Sequence, residues 1–229
     1  MKTMNSFKSA IATEIGMAIG SILLVNTLLS TNCFAEAPAH AGIITRGDSQ
    51  QSETVPLEKF TGYYQLPDKA SFIQFELKDN ILLAQWDNKE YPLIQISETN
   101  FESKEEGYKV EFLKDSSGQF AYAKILGRIT TVKVGFDPKT IQQLSLAQLK
   151  RLEGTYIFKD DNSFKINIQS SANGLTLKQL WDNKEITFTP RSETFFLNED
   201  GTFPLTFLLS DGEAVQVTCF EDDVWLRAK

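Results

Sequence analysis

Trp86-Asp87-Asn88-Lys89-Glu90 recurs, residue for residue, as Trp181-Asp182-Asn183-Lys184-Glu185. The same offset carries Ser97-Glu98-Thr99 onto Ser192-Glu193-Thr194, Phe101 onto Phe196 and Phe112 onto Phe207. Upstream, Leu57-Glu58-Lys59-Phe60-Thr61-Gly62-Tyr63-Tyr64 parallels Leu149-Lys150-Arg151-Leu152-Glu153-Gly154-Thr155-Tyr156 at a slightly smaller offset. The difference requires a short insertion in the second copy, which the sequence places near Ser170 to Asn173. Several matches in one order mean duplication of a unit of about 80 residues.

Within each copy the apolar residues alternate. Ile73, Phe75 and Leu77, then Tyr108, Val110 and Phe112, recur with period two in the first copy. Phe164, Ile166 and Ile168, then Phe203, Leu205, Phe207 and Leu209, do so in the second. Period two is the signature of strands with one buried face. Turn residues separate the runs: Lys78-Asp79-Asn80, Asp87-Asn88, Ser117-Gly118 and Asp211-Gly212. The expectation is an all-β chain of two tandem small antiparallel β-barrels, about eight short strands each. Leu146 to Leu152, N-capped by Ser145, reads as a short helix before the second barrel. Pro56 to Phe60 is its shorter counterpart before the first, and Asp137-Pro138 marks the boundary between copies.

The segments around the repeats complete the organisation. Lys2 and Lys8 precede an apolar run from Ile15 to Leu29, broken by Gly16, Gly20, Ser21 and Asn26. Small residues follow, ending Cys33-Phe34-Ala35. That order predicts a signal peptide over 1–35, cut after Ala35. The run is too short and interrupted for a membrane span. Lipidation at Cys33 is the alternative, and Ser30-Thr31-Asn32 suits it poorly. The expected protein is exported, to the periplasm or outside the cell. A flexible spacer is expected over 36–54, the first repeat over 55–136, a linker with the helix start over 137–148, and the second repeat over 149–229.

At this point the residues suggest a family. Leu57, Phe60, Gly62, Tyr64, Ser97, Glu98 and Phe101, with Leu149, Leu152, Gly154, Tyr156, Ser192, Glu193 and Phe196, form one pattern stated twice. It resembles the C-terminal all-β domain of β-lactamase-like, penicillin-binding-protein-related serine hydrolases. The resemblance implies a lipocalin-like, eight-stranded barrel appended to a catalytic domain. The hydrolase part is not matched, because no serine here is followed three residues later by lysine. The resemblance therefore implies the fold of the appendage and none of the peptidase activity.

Composition removes most other chemistries. The chain has 23 Lys and Arg against 30 Asp and Glu, a net charge of −7. Removing the leader makes this one unit more negative. No basic concentration is present to hold nucleic acid or an anionic membrane. His40 is the only histidine and falls in the spacer, so triads and zinc sites are not expected within the repeats. No metal or cofactor is expected. Cys219, flanked in alternation by Val215 and Val217, reads as a small buried hydrophobe, and the expected mature chain can form no internal disulfide. Glu90, Glu98, Glu185 and Glu193 recur, but as residues flanking turns. Asp160-Asp161-Asn162 and Glu221-Asp222-Asp223 do not have EF-hand spacing.

The recurring aromatics are the candidate site. Tyr64, Trp86, Phe101 and Phe112 return as Tyr156, Trp181, Phe196 and Phe207. Rings at fixed inward positions suit either a packed core or a cavity for an apolar ligand. The functional expectation is an exported, non-enzymatic binding or accessory module for a small apolar ligand, a peptide or a partner hydrolase. The alternatives are a structural or interaction protein of the cell envelope, and a hydrolase using carboxylates such as Glu98 or Glu193.

Overall fold

The computed structural model describes residues 55–228. The expected leader and spacer, with Cys33 and His40, lie outside the described residues. Sixteen strands, β1 (Gly62–Gln65), β2 (Phe72–Lys78), β3 (Ile81–Trp86), β4 (Lys89–Gln95), β5 (Asn100–Ser103), β6 (Lys109–Lys114), β7 (Phe120–Ile125), β8 (Ile129–Val134), β9 (Gly154–Phe158), β10 (Lys165–Ser171), β11 (Gly174–Gln179), β12 (Glu185–Pro190), β13 (Phe195–Asn198), β14 (Pro204–Ser210), β15 (Glu213–Cys219) and β16 (Asp223–Arg227), follow one another. They close into two antiparallel barrels, β1 to β8 and β9 to β16. Each strand pairs with its neighbours in sequence, and the ring closes where β1 meets β8 and β9 meets β16. Closure leaves no open strand edge.

The turns are made by the residues the sequence offers for them. Asp79-Asn80 and Asp87-Asn88 have φ of 51°, 61°, 50° and 59°, the left-handed geometry of tight two-residue hairpins. A 3-10 turn, Leu57–Phe60, enters barrel 1. Helix α1, Leu146–Lys150, enters barrel 2. Ser145 accepts from the Gln148 N–H while the Gln148 side chain accepts from the Ser145 N–H, a capping box.

The pairing register moves the extra residues of the second copy. The hairpin turns Asp79-Asn80 and Ala172-Asn173 are equal in length, so nothing is inserted near Ser170 to Asn173. Tyr64 pairs with Ile73 and Tyr156 with Ile166, which puts one extra residue between β9 and β10. Ala84 pairs with Tyr91 and Leu177 with Ile186, which puts two more between β11 and β12. The shared Trp-Asp-Asn-Lys-Glu text conceals this. Trp86 ends β3 opposite Lys89, whereas Trp181 lies in the longer connection.

Between the barrels the chain is tied to both. Asp137 caps the linker turn, accepting from the Lys139 N–H at 2.8 Å and the Thr140 hydroxyl at 2.8 Å. The Arg191 Nε donates to the Pro138 carbonyl at 2.8 Å, and Lys139 Nζ donates to Gln74 Oε1 at 3.0 Å. Phe195 of β13 points outward from barrel 2 and is nevertheless buried. Its ring stacks on Phe136 at 5.2 Å and meets Phe72 of barrel 1 edge-on at 5.8 Å. These rings and hydrogen bonds hold the two barrels against each other.

Candidate functional site

Six of the eight singled-out aromatics lie in the barrel cores. Tyr64, Phe101 and Phe112 belong to the core of barrel 1, and Tyr156, Phe196 and Phe207 to that of barrel 2. Phe112, 1% exposed, is the hub of barrel 1. Its ring lies 4.5 Å from Phe60, 4.9 Å from Phe75, 5.5 Å from Phe101 and 5.7 Å from Tyr64. Strands of four to seven residues enclose a narrow interior, and these rings occupy it.

Trp86 and Trp181 are partly buried and pack on the edges of the two cores. Trp181 lies parallel to Trp225 at 6.2 Å, with Phe164 edge-on to Trp181 at 5.3 Å. Trp225 takes the ladder position that Thr131 takes in barrel 1, where the Thr131 hydroxyl donates to the Ala123 carbonyl at 2.9 Å. The larger ring fills more of barrel 2, and its Nε1 is buried without a hydrogen-bond partner. Cys219 is buried as well, and burial raises its thiol pKa, so it stays a protonated, inert side chain.

The recurring carboxylates are spread over the surface. Glu193 accepts from Gln148 Nε2 at 2.9 Å and pairs with Arg151 at 3.5 Å, which ties β13's approach to helix α1. Glu185 pairs with Lys178 at 3.6 Å. Glu98 and Glu90 are exposed. Among the described residues no group of three His, Cys, Asp or Glu side chains is placed to hold a metal ion. Asp161 accepts from the Ser163 N–H and hydroxyl in a local turn. Asp223 has a raised pKa, first from burial and then from the charges of Asp222 and Asp160.

The most constrained polar arrangement is at the base of each barrel, where the chain enters. Lys133 of β8 pairs with Tyr64, and Arg227 of β16 pairs with Tyr156. Each cation lies against a glycine of the first strand. A Cβ on Gly62 would sit 3.1 Å from Lys133 Cε, and one on Gly154 3.0 Å from Arg227 Nε. Lys133 Nζ donates to the Lys59 carbonyl at 3.1 Å, and Arg227 Nη2 to the Glu153 carbonyl at 2.6 Å. The Tyr64 hydroxyl donates to the Phe60 carbonyl at 3.1 Å, and the Tyr156 hydroxyl to the Leu152 carbonyl at 2.7 Å. The 3-10 turn or helix that enters each barrel is thereby tied to both strands of the seam. Burial pushes the Tyr156 hydroxyl up to about 12 and raises Tyr64 further. Burial lowers the pKa of Lys133.

No family model matches the chain, and no curated protein matches it.

Two shallow grooves, each about 330 Å³, lie on the outside of the barrels. One runs along Ile157, Phe158, Leu226 and Arg227 of barrel 2. The other lies at the base of barrel 1, between Lys59, Lys114, Lys133, Gln119 and Phe120. None of the recurring aromatics lines either groove. Lys133, Arg227 and their neighbours were not singled out from the sequence. Lone cations at strand ends read as surface charge. The signal that could have found them is their equal spacing from the Gly-x-Tyr of each copy, once the insertions and the one-residue shorter turn between β14 and β15 are placed.

Proposed function

We propose that this protein is an exported, non-enzymatic module of the cell envelope that binds another envelope protein through the outside of its barrels. The filled interior of barrel 1, with Phe112 in contact with four other rings, carries this reading. A barrel occupied by its own side chains offers no volume to an apolar ligand, so binding falls to the outer surface. The surface best suited to a protein partner is on barrel 2. Leu208, Gln216, Leu226 and Ile157 stand in one row across β14, β15, β16 and β9. Thr206, Thr218 and Val224 form the next row. No charge stands among these seven positions, and Lys165, which pairs with Ile157, closes the first row. Leu208 is 54% and Leu226 45% exposed. A neutral, apolar protein surface is the occupant this face fits, because a charged one would be desolvated there without a partner. The lipocalin-like, accessory-domain resemblance agrees with a role beside another protein.

A photo-crosslinking side chain at Gln216 tests this in the intact envelope. One identified partner, cross-linked in the parent and lost in Leu208→Glu and Leu226→Glu, is expected. Cross-links that survive both charge insertions would rule this face out.

A further inference from the structure

The two barrel bases differ in how their charges are arranged, and the duplication lets them be compared position by position. In barrel 2 the inward cation Arg227 has a counter-ion, with Nη1 3.0 Å from Glu213 Oε2. Ala214 pairs with Leu209 as Phe120 pairs with Lys114, so Gln119 occupies the place of Glu213 in barrel 1. The carboxylate has become a neutral amide. The second cation at the base follows suit. Arg151 pairs with Glu193 in barrel 2, whereas its counterpart Lys59 makes no ion pair among the described residues. Leu209 of barrel 2 is replaced by Lys114, which adds a third positive charge beside the Phe120 ring, at 5.0 Å.

Three lysines therefore face one groove at the base of barrel 1, in an acidic protein, with Glu58 as the one acid in its lining. A lysine ammonium has three donors, and one of those on Lys133 goes to the Lys59 carbonyl. Partial burial of Lys133 without a carboxylate disfavours its charge, as its lowered pKa reports. An external anion would supply what Glu213 supplies in barrel 2.

We propose that the base of barrel 1 binds a small oxyanion, a carboxylate or phosphate group held by Lys59, Lys114 and Lys133 with the Gln119 amide as a neutral donor. Val55 and Phe120 give the groove an apolar wall, so a short alkyl group attached to the anion also fits. The site is separate from the outer face of barrel 2 and stands or falls independently of it.

The full chain is titrated at low salt with inorganic phosphate and, separately, with hexanoate, following the Gln119 side-chain amide and the Lys133 ammonium by NMR. Saturable shifts of both signals by one of the two anions are expected, and which anion acts identifies the head group. Gln119→Glu installs the arrangement barrel 2 already folds with. It should weaken binding at least tenfold while leaving the thermal midpoint unchanged. The proposal is overturned if neither anion gives a saturable shift up to about 10 mM. Equal binding by Gln119→Glu also overturns it.

Discussion

Phe112→Ala removes the ring on which the interior of barrel 1 converges. Truncating a buried phenylalanine costs ~3–5 kcal/mol, from lost transfer free energy plus the cavity left behind. The site belongs in the upper part of that range. Its neighbours Phe60, Phe75, Phe101 and Tyr64 lie on a closed ring of strands and on the turn tied to it, so they cannot move inward to refill the space. A domain of about 80 residues has a total stability of only ~4–12 kcal/mol. The variant barrel should thus lose a third or more of its stability. With a urea slope of ~1.5 kcal/mol/M, its unfolding midpoint should fall by roughly 3 M. Hydrogen-exchange mass spectrometry across a urea series reads each barrel from its own peptides. Peptides of β1 to β8 should lose protection at lower urea, with β9 to β16 shifting less. A loss below ~1 kcal/mol in barrel 1 would refute the packed interior, because a ring lining an existing cavity leaves little behind when removed.

Other consequences follow from particular contacts. Gly174→Ala would put a Cβ 2.1 Å from the Phe188 carbonyl oxygen, so β11 and β12 must separate; a loss of ~1–3 kcal/mol in urea unfolding of barrel 2 is expected. Tyr64 and Tyr156 have folded pKa values above the unfolded value near 10, so their contribution is complete below pH ~10 and is lost as pH rises through the folded values. The urea midpoint should therefore drop between pH 10 and about 12, and Tyr156→Phe should flatten that drop for barrel 2. Glu153 is held below the usual carboxylate range by hydrogen bonds from the Ser170 hydroxyl and N–H, and its contribution is lost as pH falls through that depressed value. Ser170→Ala should move the Glu153 titration, followed by carboxyl NMR, back toward the ordinary value. Phe195→Ala should loosen the two barrels from each other, seen as separate rotational correlation times in 15N relaxation, without unfolding either.

The fold was legible because its signals are local. Period-two runs such as Phe203 to Leu209 became strands, and Asp87-Asn88 became the tight turn its residue types favour. Ser145 caps the short helix as its place before the run suggests, and Gln148 completes a capping box that the sequence reading did not single out. Closure of each ring was less legible, since β1 and β8 meet across the whole repeat and leave only spacing as a trace. The insertion was misplaced for a related reason. Identical text around Trp86 and Trp181 aligned two residues that hold different ladder positions. Whether the recurring rings line a void or fill it depends on how they meet across the barrel, and period-two alternation is the same in both cases. The barrel bases were hidden because Lys133 and Arg227 act through backbone carbonyls, and carbonyls carry no sequence signal.

The central claim, that the barrels are occupied by their own side chains, is tested most directly by titrating the purified full chain with the neutral apolar fluorophore N-phenyl-1-naphthylamine. The account predicts no saturable increase in fluorescence at any ratio. A saturable, stoichiometric increase that Phe112→Trp abolishes would place a ligand inside barrel 1 and contradict it.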